Sequence, residues 1–233
     1  MSFQRDAEPH SSGTGSKLRD FILGSQDGLV NILGLVLGIA TATNDLRIIL
    51  IGGLAATFAE SIAMAAVAYT SSKAMRDFYN RELAREKREM EEMPDAEREE
   101  IREIYRNKGF KGDNLEMVVD TITSDKQVWL ESMMAEELHL FPEGYEKPVI
   151  NGLTVGTASL LGSIVPLIPF VLFPIQLAVV ASIIGSLLVL FIIGAIKARL
   201  TVGNWIKSGI EMGVIGLVAA GAGYIIGLLL SNL

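Results

Sequence analysis

Residues 148–196 read PVINGLTVGTASLLGSIVPLIPFVLFPIQLAVVASIIGSLLVLFIIGAI, and no Asp, Glu, Lys or Arg interrupts them. A helix needs about 20 apolar residues to cross a bilayer core of roughly 30 Å. This stretch is long enough for two spans, and Pro166, Pro169 and Pro174 mark the expected reversal between them. Three more blocks share its character. Residues 21–43 carry one charge, Asp27; residues 48–72 carry one, Glu60; residues 208–233 carry one, Glu211. Buried helices of a soluble protein are rarely so long and so apolar. The chain is therefore expected to be an all-α integral membrane protein with five transmembrane helices. Small residues recur in the blocks, among them Gly34, Gly38, Gly156 and Gly162. In lipid they let helix backbones approach closely.

Composition agrees and excludes several classes. Half of the 233 residues are hydrophobic, and the mean hydropathy is +0.39. The absence of Cys excludes disulfides, thiolate metal sites, iron–sulfur clusters and cysteine nucleophiles. With only His10 and His139, a His-rich metal site is excluded too. The net charge of −7 argues against a nucleic-acid partner. That charge is local. Residues 73–147 hold 13 of the 20 Lys and Arg and 20 of the 27 Asp and Glu, which accounts for all of it.

The division predicts a tail (1–18), two spans (19–72), a charged insert (73–147) and three spans (148–233). The tail is polar, lacks the apolar core of a signal peptide, and is expected to be disordered. Lys and Arg near the span ends set orientation. Arg5, Lys17, Arg19, Lys73, Arg76, Arg81, Lys197, Arg199 and Lys207 fall on one side; the other has only Arg47. The N-terminus and the insert are thus expected in the cytoplasm, and the C-terminus outside. A multi-pass protein of the plasma membrane is expected, or of the vacuolar membrane in a eukaryotic cell.

The insert reads as a three-helix cytoplasmic module. Helix-favouring residues continue the second span to about Met93; a helix over 48–93 would measure about 69 Å. Pro94 suits the first turn of a second helix, which Gly109 and Gly112 end. Asp113 or Asn114 can cap a third helix reaching about Leu140. Acidic residues recur at helical spacing: Glu86 with Glu89, Glu97 with Glu100, and Met133 and Met134 with Glu137. Carboxylates converging from several helices bind divalent cations, and thioethers favour transition metals over Mg2+ or Ca2+. A solvated charged face is the competing reading, with Arg85, Lys87, Arg88, Arg98 and Arg102 as pairing partners. Glu136 and His139 form one Glu-x-x-His, whereas di-iron bundles use two.

Intramembrane carboxylates are costly and tend to face a pathway or a partner. Asp27 lies near the cytoplasmic end of the first span and Glu60 near the middle of the second. Met64, at i+4 from Glu60, shares its face. Carboxylate and thioether together can pass a dehydrated transition-metal ion, and either carboxyl can carry a proton. An interhelical hydrogen bond that merely holds the bundle is the alternative. Glu211 reads as an interfacial charge or a partner of Lys207.

Asp27-Gly28-Leu29-Val30 with Leu33-Gly34-Leu35-Val36, Met64-Ala65-Ala66, and Pro166-Leu167-Ile168-Pro169-Phe170 resemble motifs of the vacuolar iron transporter family. The resemblance covers residues 19–231. The two Glu pairs and the Met-Met-x-x-Glu of the insert are its strongest part. It implies a five-span homodimer that moves Fe2+, and Mn2+, Co2+ or Zn2+ as related ions, out of the cytoplasm by proton antiport. It implies no permanently bound cofactor and no enzyme activity. Glu86, Glu89, Glu97, Glu100, Met133, Met134 and Glu137 would collect metal. Asp27 and Met64 would line a path at the dimer interface. Two positions depart from the pattern. Ala63 stands for the family Ser, and Ala68 for a family Glu, which leaves Glu60 as a replacement at another depth. A metal-sensing or metal-storing membrane protein and a membrane di-iron oxidase are the rival functions.

Overall fold

The computed structural model describes residues 12–142, 147–201 and 203–231. Among the described residues there is no strand. The helices are α1 (Ser12–Thr43), α2 (Leu46–Glu92), α3 (Pro94–Asn107), α4 (Asp113–Thr123) and α5 (Lys126–Ser132), which runs on as a π-turn (Met133–Glu137). They continue with α6 (Pro148–Ile164), a 3-10 turn (Val165–Leu167), α7 (Ile168–Leu172), α8 (Ile175–Leu200) and α9 (Trp205–Leu230). Five helical stretches are long and apolar enough to cross a membrane: α1, α2, α6 through α7, α8 and α9. The protein is an all-α, five-span integral membrane protein. Its contacts divide it into two compact units, Ser71–Lys147 and the remainder.

In the membrane unit α1 is the central helix, packing on α6, α8 and α9. Leu29, Ile32, Leu33, Val36, Leu37 and Ala40 are its buried hydrophobic positions. Their i, i+3, i+4, i+7 spacing makes one continuous stripe. Val36 and Ile32 meet Phe170, Leu167 and Ala178; Leu29 meets Leu190 and Met212; Leu33 and Leu37 meet Ala220. Outward residues such as Ile62, Leu188 and Leu229 are more than 60% exposed, as lipid-facing side chains are. Lipid supplies no hydrophobic drive between spans, so backbone proximity and interhelical polar contacts matter more. A Cβ on Gly28 would fall 2.3 Å from the Ser159 carbonyl oxygen, and one on Gly223 would fall 2.0 Å from that of Gly34. Only glycine permits these two crossings, α1 on α6 and α1 on α9.

Three boundaries differ from the sequence expectation. Residues 1–11 of the expected disordered tail, with His10, lie outside the described residues, but Ser12 to Leu18 already form the first turns of α1. Extending an existing helix costs far less than starting one. The reversal between the third and fourth spans falls at Phe173-Pro174, not across all three prolines. Pro166 and Pro169 each sit in the first turn of a helical segment, where a missing N–H costs little. The Ser182 hydroxyl donates to the Pro166 carbonyl at 2.8 Å.

The expected third helix of the insert is two helices. Ser124-Asp125 interrupts it, and the Asp125 carboxylate accepts from the N–H groups of Gln127 and Val128 at 2.7 and 3.2 Å. Such an N-cap gives the chain an alternative to helix continuation. Gly112, at φ +56°, rather than Asp113 or Asn114, precedes α4. The core of this unit joins Ile101, Leu115, Val119, Ile122, Trp129 and Met133.

Candidate functional site

The acidic unit brings five of the expected carboxylates into mutual electrostatic range: Glu86 and Glu89 from α2, Glu97 and Glu100 from α3, and Glu137 from the π-turn. Glu86 is 1% exposed and Glu97 4%. Each has one carboxylate oxygen, Oε2, that is buried and without a hydrogen-bond partner. A buried, unpaired charge is among the most unfavourable features a fold can carry.

The charges respond as that burial requires. Desolvation, then the charges of Glu100, Glu86 and Glu89, push the Glu97 carboxyl up to about 7. Desolvation, then Glu100, Glu86 and Glu97, push Glu137 to about 7 as well, although its side chain still reaches solvent. Glu86 is raised by its burial and by Glu89, with Arg85 opposing.

The basic residues nearby do not relieve this strain. Arg98 donates to Asp120 and, at 2.7 Å, to the Thr123 hydroxyl. Arg102 takes Glu116 in a two-pronged contact at 2.9 and 3.0 Å and also holds Glu99. Both cations therefore bind α3 to α4 and leave Glu97 and Glu100 uncompensated. Among the described residues, Arg85 is the one cation paired with the cluster, 2.9 Å from Glu82, 3.2 Å from Glu89 and 3.4 Å from Glu86. Glu82 is buried and paired with both Arg81 and Arg85. Sequence reasoning passed over it, though it lies one helical turn before Glu86.

The two methionines part company. In the π-turn the Leu138 N–H reaches back five residues to the Met133 carbonyl. A π-turn is wider than an α-turn and shifts the residues after it around the axis. Met133 is wholly buried in the core against Ile101 and Val119. Met134 lines a cavity of about 960 Å3 with Leu83, Met90, Trp129 and Phe141. His139 takes a left-handed conformation at φ +54° and ends the helical run, so Glu136 and His139 do not share a helix face. Lys108 pairs with Glu136. Among the described residues, no three acidic or histidine side chains stand close enough in this arrangement to chelate one ion.

The membrane unit holds a second polar group. Asn31 on α1 donates to Glu60 Oε1 on α2 at 2.5 Å, and the Glu60 carboxyl is within hydrogen-bond reach of Asp27. Asp27, Glu60 and Met64 are all half-buried. Asn31 is absent from the sequence reading. Its signal is a polar residue at i+4 from Asp27 in an otherwise apolar helix. Glu211 is exposed and has no ion pair with Lys207.

Five membrane-spanning helices with a carboxylate-rich unit between the second and third define a polytopic membrane protein with a cluster of buried carboxylates. The chain belongs to the VIT family, which it matches over residues 18–228. It is 35% identical over 211 residues to vacuolar iron transporter 1 of Eucalyptus grandis, covering 90% of this chain and 85% of the relative. Vacuolar iron transporter 1 of Tulipa gesneriana is 34% identical over 222 residues, at 95% and 90% coverage. The vacuolar iron transporter of Plasmodium falciparum is 30% identical over 225 residues, at 92% and 82%.

Proposed function

We propose that this protein carries ferrous iron across a membrane, out of the cytoplasm and in exchange for protons. Relatives named as vacuolar iron transporters match nearly the whole chain, which supports iron as the cargo. The observation that carries the rest is the pair of buried, unpartnered oxygens on Glu86 and Glu97 amid further carboxylates. A divalent cation supplies the charge this cluster lacks. Glu86, Glu89, Glu97, Glu100 and Glu137 collect the ion, and a shift of Met134 brings a thioether to it. Met133 contributes packing behind the site or, on a local rearrangement of the π-turn, a second thioether.

Asp27, Glu60 and Met64 then pass the ion through the spans at the interface of a homodimer. A proton and a cation compete for the same carboxylates, which makes exchange of one for the other a direct consequence of the chemistry. Mn2+, Co2+ and Zn2+ suit the same donors and are secondary cargoes. The protein acts as a transporter rather than an enzyme, with metal ions and protons as its partners. The membrane is the vacuolar one in a eukaryotic cell and the plasma membrane in a prokaryotic one.

The test is Fe2+ uptake into proteoliposomes with an imposed pH gradient. Gradient-dependent uptake that Asp27→Ala abolishes is the expected result. Metal binding without flux would instead make the protein a sensor or store.

A further inference from the structure

Four residues of α2 share one stripe of the helix, at i, i+3, i+4 and i+7: Glu82, Arg85, Glu86 and Glu89. The Arg85 guanidinium divides itself between the two ends of that stripe. Toward the N-terminus, Nη1 reaches Glu82 Oε2 at 2.9 Å. Toward the C-terminus, Nη2 lies 3.4 Å from Glu86 Oε1, and Nε donates to Glu89 Oε2 at 3.2 Å. The other Glu86 oxygen, Oε2, is buried without a partner, as is Oε2 of Glu97 on α3. Arg85 therefore supplies one positive charge to a group of carboxylates that it satisfies only in part.

The two sets of contacts are unequal. Long side chains on a helix lean toward its N-terminus, which is where Glu82 lies. An acid that precedes a base along a helix makes the better-oriented pair, and Arg85 precedes Glu89. The Glu82 side chain is 8% exposed against 28% for Glu89, so its contact is the less screened. Its two oxygens are also divided: Oε1 takes Arg81 at 2.8 Å, and Oε2 takes Arg85. A divalent cation that enters among Glu86, Glu89 and Glu97 repels the guanidinium at close range. Rotation of the Arg85 side chain then carries it toward Glu82 without movement of the backbone. On the reading of this cluster as the metal-collecting site, we propose that Arg85 is its displaceable counter-ion, standing on Glu86 and Glu89 while the cluster is empty and withdrawing onto Glu82 as metal loads. Glu82 is thus a positioning residue for the arginine, and the pair sets how tightly the ion is held before it is passed on.

The experiment measures Mn2+ binding to the purified full-length protein in detergent at one fixed pH, by isothermal titration, with thermal unfolding of the metal-free protein alongside. Arg85→Gln is expected to bind Mn2+ about tenfold more tightly than wild type and to melt several degrees lower when metal-free. Glu82→Gln, which removes the place of retreat, is expected to bind about tenfold more weakly. The double variant should bind like Arg85→Gln alone, because Glu82 acts through the arginine. A purely structural Glu82 predicts instead the same loss with and without Arg85, and that result overturns the proposal. Arg88→Gln removes an equal charge from the same helix and should shift affinity less than threefold. Affinity of Arg85→Gln at or below wild type, or an equal gain in Arg88→Gln, overturns the proposal. Unchanged affinity in Glu82→Gln does so too, and it is read even where Arg85→Gln fails to fold. Glu97→Gln separates this inference from the reading beneath it. Mn2+ binding that survives Glu97→Gln intact places the ion elsewhere and overturns both, whereas binding lost in Glu97→Gln but indifferent to Arg85 and Glu82 overturns the counter-ion alone.

Discussion

The Asn31 side chain, on the first span, donates a hydrogen bond to Glu60 Oε1, on the second, at 2.5 Å. The bond couples the two helices at the depth where both polar residues are most expensive to leave alone. It also fixes the orientation of the one carboxylate in the second span, beside Asp27. In the proposed path, Asn31 therefore positions Glu60 rather than carrying the ion itself.

Removing the donor frees Glu60 to turn away from Asp27. A hydrogen bond to a charged group contributes roughly 1.5–3 kcal/mol. Asn31→Ala is accordingly expected to slow Fe2+ uptake about tenfold and to change its pH profile, while Asn31→Gln restores part of the rate. Proteoliposome uptake between pH 5.5 and 8 measures both. A normal rate with an unchanged profile would make the bond purely structural.

Glu97→Gln separates a metal-collecting carboxylate from a structural one. It removes a buried charge that repels its neighbours while keeping its shape. Metal-free protein should melt several degrees higher, and Mn2+ or Fe2+ should bind at least tenfold more weakly. A structural salt-bridge role predicts the opposite sign in stability. Thermal unfolding with and without metal distinguishes the two, and Glu86→Gln should behave alike.

The same carboxyls set a pH dependence. Glu97 and Glu137 titrate at about 7 in the folded protein, against the usual 4.5. Between those two values the folded state holds more protons than the unfolded one. Stability of the metal-free protein therefore falls as pH rises from about 4.5 to about 7 and levels off above. Metal must displace those protons, so its affinity rises over the same interval. Isothermal titration with Mn2+ at pH 5.5 and 7.5 should show at least tenfold tighter binding at the higher pH, with protons released to the buffer at the lower.

The spans were legible because lipid imposes one requirement, a long apolar block, that local composition satisfies or fails. Helical spacing singles out the glutamate pairs but leaves a solvated charged face open, and the resemblance to the family favours a metal site. What escaped was decided by tertiary choice. Arg98 and Arg102 share α3 with Glu97 and Glu100, yet they turn to Asp120 and Glu116 on α4. No pattern along one helix tells which neighbour a guanidinium prefers. The π-turn escaped for a similar reason. Met133 and Glu137 keep the i, i+4 spacing of an α-helical pair, and only the fold shows Met133 buried against Ile101. The break at Asp125 did have a local signal, an Asx cap after two hydroxyl residues, concealed by the helix formers around it.

Glycines in the spans fall into two groups that the sequence does not distinguish. A Cβ on Gly28 or Gly223 would strike a backbone carbonyl at 2.3 or 2.0 Å, whereas Cβ atoms on Gly185, Gly213 and Gly221 would meet nothing within 4 Å. Backbone cannot rotate aside as a side chain can, so Gly223→Ala must push α9 away from α1. Overpacking of this kind costs about 1–3 kcal/mol. Gly223→Ala and Gly28→Ala should each lower the melting temperature of the purified protein by several degrees and reduce its yield. Gly221→Ala removes the helix penalty of glycine, about 1 kcal/mol in water-exposed helices, and should leave the melting temperature unchanged or higher. Equal losses at Gly221 and Gly223 would show that α1 and α9 are not in backbone contact.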